Sequence, residues 1–138
     1  MTWGAFTAGL RAGLLYGDTF PLMGAHLWPA ELFSSRVSVF EEGAAVQFGH
    51  RVLAVLSFCT LLLASLRGLR LSPPPVLRKV LHALGGMAFV QVALGVATLM
   101  SHVNIALATA HQAGALVILG LLMVLLHTVP KGGAHEPA

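Results

Sequence analysis

The chain has 138 residues, 57% of them hydrophobic and 9% charged, with eight Lys and Arg against five Asp and Glu. That balance excludes an ordinary soluble domain, in which about a quarter of residues are charged, and leaves room for one bundle and no second domain. The small basic excess belongs to membrane topology rather than to nucleic acid.

Four apolar stretches approach or reach the ~20 residues that a helix needs to cross a bilayer. The first predicted helix, 2–16, is short by that measure, and no signal or transit peptide is evident ahead of it. The segment after it holds Phe20, Pro21, Leu22, Trp28, Pro29, Leu32 and Phe33, which is unusually apolar for a loop. It is expected to fold back onto one end of the bundle, with Trp28 near the headgroups. The remaining predicted helices are 44–66, 80–100 and 105–127. Pro73, Pro74 and Pro75 lack backbone donors and mark a surface connection between the second and third. Residues 130–138 read as a frayed tail. The expected fold class is all-α integral membrane, a four-helix transmembrane bundle with a truncated first helix.

Charge sets an expected orientation. Arg67, Arg70, Arg78 and Lys79 crowd the link between the second and third helices with no acid beside them. The first loop instead carries Asp18, Glu31, Glu41 and Glu42 against Arg36 alone. The positive-inside rule then puts the 67–79 link and the tail with Lys131 in the cytoplasm. The acidic loop and the 101–104 turn face out, so the second and fourth helices run parallel.

In those two helices His50 and His111 each lie about six residues from the outer end, at one depth. An imidazole in hydrocarbon is costly unless paired or ligated, so each is a functional-site candidate. A lone intramembrane His is as readily a hydrogen-bonded packing residue. Two at one level favour a single ligand between them, and haem iron with two axial His suits facing imidazoles in an apolar bundle. Ala108, Gly114 and Ala115 share the His111 face and leave room for a macrocycle edge. Gln47 and Ala54 flank His50 one turn outward and inward. Small residues also serve close helix packing without any cofactor.

Arg51 and Arg11 are candidates to hold a propionate, because a guanidinium recognises carboxylate bidentately. Arg11 can equally snorkel to an interface. Gln91 reads as an interhelical hydrogen bond. His26, His82, His102 and His127 read as interfacial, and Cys59 as a lone buried thiol that forms no intrachain disulfide. Phosphate-binding glycine loops, thiolate zinc clusters and hydrolytic triads are not found.

Five ordered motifs carry a resemblance. They are Ala8-Gly9-Leu10-Arg11-Ala12-Gly13, Thr19-Phe20-Pro21-Leu22-Met23-Gly24, Val46-Gln47-Phe48-Gly49-His50-Arg51, Gln91-Val92-Ala93-Leu94-Gly95 and Ala108-Thr109-Ala110-His111-Gln112. Over nearly its whole length the chain resembles the C-terminal half of haem A synthases, proteins of two four-helix pseudo-repeats with a His pair in each. The resemblance implies that His50 and His111 are the axial iron ligands of haem b, with Arg51, Arg11, Gln47 and Gln112 as cofactor-binding neighbours. It also implies oxidation of the C8 methyl of the substrate haem O to a formyl group, in a bacterial inner membrane and with an electron donor the sequence does not identify. The expected partners are membrane lipid and an N-terminal half or second copy of the chain. Three departures stand out. The family's Glu-x-x-His motif, which belongs to the N-terminal half, is matched here by Gln47 and His50. The outer-loop cysteine pairs are missing, and Gly17-Asp18 adds one residue before Thr19. A fragment or one half of a split enzyme is therefore expected, with a half-size homodimer as the alternative and a non-catalytic bis-His cytochrome b as a second function class.

Overall fold

Three helices are long and apolar enough to cross a membrane. In the computed structural model, which describes residues 2–33 and 42–128, a short α1 (Thr2–Gly9) precedes α2 (Gly43–Arg70), α3 (Pro75–Met100) and α4 (Ile105–Thr128). Turns of 3-10 helix lie at Ala12–Leu14 and Ala30–Phe33. At ~1.5 Å per residue the three long helices measure about 36 to 42 Å, more than the ~30 Å hydrocarbon core, so their ends reach the headgroups. Arg36, Glu41, Lys131 and the tail 130–138 lie outside the described residues.

The all-α expectation holds, with differences at element ends. Helix α1 stops at Gly9 rather than running to residue 16, and Arg11 and Tyr16 adopt left-handed φ of 50° and 56°. Gly9, Gly13 and Gly17 recur every four residues, and each Gly costs a helix ~1 kcal/mol relative to Ala. Both membrane helices that flank the proline run are longer than expected. Arg67 and Arg70 form the last turn of α2, where cations complement the helix C-terminus. Pro75 opens α3 at its first position, where a missing N–H is harmless. The expected 67–79 link thus shrinks to residues 71–74.

At the other end α3 turns into α4 within four residues. The amide of Val103 donates to the Thr98 carbonyl at 2.9 Å, and His102 and Val103 both take left-handed φ. Asn104 Oδ1 accepts from the amides of Ala106 at 3.0 Å and Leu107 at 3.4 Å, an N-cap for α4. Two short connections make α2 and α4 parallel, as expected.

Packing within the bundle is narrow. Leu84 and Val46 are wholly buried, whereas Leu53, Val55, Leu56, Leu63, Leu116 and Leu126 are exposed, as suits helices that face lipid. The helices approach each other over glycines. A Cβ added at Gly68 would sit 2.9 Å from Leu81 Cδ1, and one at Gly85 would sit 3.6 Å from Ser65 Cβ. Helix α3 packs along both α2 and α4, and α1 packs on α2. Residues 52–57 of α2 are exposed on every side. Phe58 then meets Phe89 edge-to-face at 5.0 Å. Helices α2 and α3 therefore close from Phe58 toward Arg70 and part toward Gly43, leaving a cleft that α4 faces.

Residues 13–18 lie against the turn between α3 and α4. A Cβ on Gly17 would come 2.9 Å from the Leu99 carbonyl oxygen, and one on Gly13 would come 3.0 Å from Val103 Cγ2. Asp18 Oδ1 lies 3.2 Å from His102 Nε2 across the same seam. The seating of α1 depends on Gly49, where an added Cβ would stand 2.7 Å from Trp3 Cζ2. Gly49→Ala should displace the indole from its 2.8 Å hydrogen bond to the Val46 carbonyl and destabilise the fold by about 1–3 kcal/mol, the range for overpacking. Denaturation in detergent measures the loss. Trp3 fluorescence in a Trp28→Phe background should shift to the red, and an unmoved emission maximum would disprove the seating.

Candidate haem site

The eighth residue of α2 is His50 and the seventh of α4 is His111. Their rings face each other across the cleft, with centroids 6.5 Å apart and planes at 78°. Two imidazoles that ligate one metal from opposite sides at ~2 Å each place their ring centres roughly 6–6.5 Å apart, by analogy with other metal–imidazole bonds. The observed separation fits a shared iron. Among the described residues no group of three or more His, Cys, Asp or Glu gathers. A group held by these two imidazoles would have to bring its remaining donors with it, as a porphyrin does.

Each ring is backed by a glycine of the preceding helix. A Cβ on Gly4 of α1 would lie 3.8 Å from His50 Cε1, and one on Gly95 of α3 would lie 3.0 Å from His111 Cε1. Gln91, one turn inward of Gly95, donates from Nε2 to the His111 carbonyl at 2.9 Å. This is the interhelical bond expected of it, and such bonds in membranes average only ~0.6 kcal/mol. The space beside Gly114, expected to admit a macrocycle edge, is filled by the Gln91 amide, because a Cβ there would collide with Oε1. Gly95 is the residue that leaves the ring room. Its signal in the sequence was its place four residues after Gln91, on the same face of α3.

Gln47 is 2% exposed and donates from Nε2 to the Leu15 carbonyl at 2.6 Å, while its Oε1 is buried with no partner. One turn further along, Arg51 donates from Nη1 to the carbonyls of Pro21 at 3.0 Å and Leu22 at 3.2 Å, with its guanidinium 5.4 Å from the Phe20 ring centre. Its Nε and Nη2 are buried and unpartnered. Those two nitrogens form the side-on edge of the guanidinium, the fork that takes a carboxylate bidentately. One edge of Arg51 therefore holds the 20–22 segment, and the other is left without a partner.

The other sequence candidates fall elsewhere. Arg11 is exposed at the bend after α1, and Gln112 is exposed beside His111. His26 stacks on Trp28 at 5.9 Å, and His127 Nδ1 lies 2.8 Å from the Met123 carbonyl. His82 is exposed, and so is Cys59, which corrects the expectation of a buried thiol. Position along a membrane helix gives depth in the bilayer, but rotation decides whether a side chain meets protein. A groove of about 350 Å³ lined by Trp3, Leu32, Ala45, Phe48, Gly49, Val52 and Leu53 has no polar side chain except the Trp3 indole. Arg51→Leu should free the 20–24 segment. Hydrogen bonds to a charged donor contribute ~1.5–3 kcal/mol, so amide exchange in that segment should accelerate roughly tenfold or more. Unchanged exchange would mean that the clamp holds nothing.

Residues 1–123 match the family described as cytochrome oxidase assembly protein. The chain is 46% identical over 130 residues to the Heme A synthase of Rhodospirillum centenum, covering 92% of this chain and 34% of that protein. It is 41% identical over 132 residues to the Heme A synthase of Paramagnetospirillum magneticum, covering 95% and 37%. With Heme A synthase COX15 of Homo sapiens it shares 38% over 134 residues, covering 93% and 32%. The chain thus spans about a third of the length of the curated relatives it matches. No solved structure matches it. With its paired histidines, membrane helices and ordered motifs, the chain belongs to the cytochrome oxidase assembly protein family.

Proposed function

We propose that this chain is the haem b-binding half of a haem A synthase, which oxidises the C8 methyl of haem O to formyl, and that His50 and His111 are the axial ligands. The observation that carries the reading is the 6.5 Å spacing of the two imidazoles across a cleft between parallel helices. Bound there, the haem supplies one-electron ferric–ferrous chemistry.

The chain's own residues hold and orient. His50 and His111 present two nitrogens from opposite walls. Arg51 offers its buried side-on edge to one propionate, and Arg11 at the outer bend is the candidate for the second. The first loop closes the outer end of the cleft against water. Gln112 is adjacent to His111 on α4 and flanks the cofactor. Gln47 stands three residues before His50, where the family's other half carries Glu. An amide has no proton to exchange, and its nitrogen is committed to the Leu15 carbonyl. This half therefore binds and relays, while the substrate carboxylate chemistry belongs to a partner half. The basic ends, Arg67, Arg70, Arg78 and Lys79, lie on the cytoplasmic face of a bacterial inner membrane, and the first loop lies outside.

Purified chain should show a low-spin six-coordinate b-type spectrum, because two imidazoles impose a strong field. His50→Ala or His111→Ala should turn it high-spin or lose the haem, and two unchanged single variants would sink the assignment. In a host that makes haem O but no haem A, the chain alone should bind haem and yield no haem A by extraction and chromatography. Co-expression with an N-terminal half carrying Glu-x-x-His should restore conversion. Haem A made by this chain alone would favour the half-size homodimer, and none with either arrangement would favour a non-catalytic cytochrome b.

A further inference from the structure

Two buried polar atoms at the interface of α3 and α4 have no hydrogen-bond partner, His111 Nδ1 and Gln91 Oε1. One is a ring nitrogen and the other a carbonyl-type acceptor. They belong to residues already joined, since Gln91 Nε2 donates to the His111 carbonyl at 2.9 Å. The Gln91 amide is held against Gly114 and Met87, whose methyl lies 3.6 Å from a Cβ added at Gly114. One turn along α3, the bare backbone of Gly95 faces the His111 ring, since a Cβ there would lie 3.0 Å from Cε1 and 3.6 Å from both ring nitrogens.

We infer that Gln91 is the positioning residue of His111: its Nε2 fixes the height of α4 through the His111 carbonyl, and its unpartnered Oε1 is the acceptor that takes the Nδ1 proton across one water. This rests on the reading of His111 as an iron ligand through Nε2, which leaves the proton on Nδ1. A ligating histidine almost always donates its second N–H to an acceptor, which fixes the tautomer and ring orientation and raises ligand basicity. In α3 and α4, Gln91 Oε1 is a buried side-chain acceptor with capacity to spare. Gly95 is the complementary element, because a bare backbone at that point sets how far the ring can rotate. A neutral amide acceptor gives the iron moderate electron donation, between that of an unbonded imidazole and that of one facing a carboxylate.

The test uses the purified haem-loaded chain in detergent. Gln91→Leu should keep a six-coordinate low-spin spectrum while its midpoint potential rises, because the ligand loses its acceptor and donates less to ferric iron. Gln91→Glu should lower the potential relative to Gln91→Leu, since it restores an acceptor. Gly95→Ala should leave the haem bound and alter the anisotropy of the low-spin ferric electron paramagnetic resonance signal, as the ring is forced to turn. A purely structural role would lower thermal stability in both Gln91 variants without separating their potentials. The inference is overturned if Gln91→Leu and Gln91→Glu share the parent potential, or if both shift it in the same direction and amount. Failure of the underlying reading is distinguishable, because His111→Ala would then retain its low-spin haem.

Discussion

An imidazole has two polar nitrogens and no place in hydrocarbon unless both are satisfied, and this chain puts two imidazoles at one depth. The rest of the architecture follows from keeping them opposed. Helix α3 packs along both α2 and α4 and sets the two parallel helices opposite each other. The bundle closes below Phe58 and Phe89 and opens above them.

The same local device serves both histidines. In α1 and α2, Trp3 donates to the Val46 carbonyl, lies over Gly49, and Gly4 faces the His50 ring. In α3 and α4, Gln91 donates to the His111 carbonyl, lies over Gly114, and Gly95 faces the His111 ring. One helix of each pair thus lends an N–H donor and a bare backbone position, and the other lends the imidazole and a glycine that lets the donor approach. Hydrogen bonds of this kind contribute little to membrane stability. Their value lies in fixing rotation and height, which dispersion between apolar helices leaves nearly free.

What could be read from the sequence follows the same division. Depth was legible: apolar runs and their charged ends give each helix its level, so the matched positions of His50 and His111 stood out before any coordinates. Gln91 was legible as an interhelical bond, because an amide in hydrocarbon must find a partner. Rotation was not legible. The exposure of Cys59, the filling of the Gly114 space by Gln91 and the role of Gly95 all depend on which face meets which neighbour, and a lipid-facing helix carries little polar contrast to reveal it. The end of α1 was misread because apolar composition hid three glycines at helical spacing.

Arg51 ties the exterior to the interior. On its inner half α2 is braced by α3 through Ser65 and Gly85, Gly68 and Leu81, and Phe58 and Phe89. On its outer half it is braced by α1 and the first loop, through Trp3, Gln47 and Arg51. Helix α2 is thus held at two separate stations, one against α3 and one against the chain that precedes it. Arg51, one residue after His50, thus joins the 20–22 segment directly to the helix turn that carries one of the two facing imidazoles.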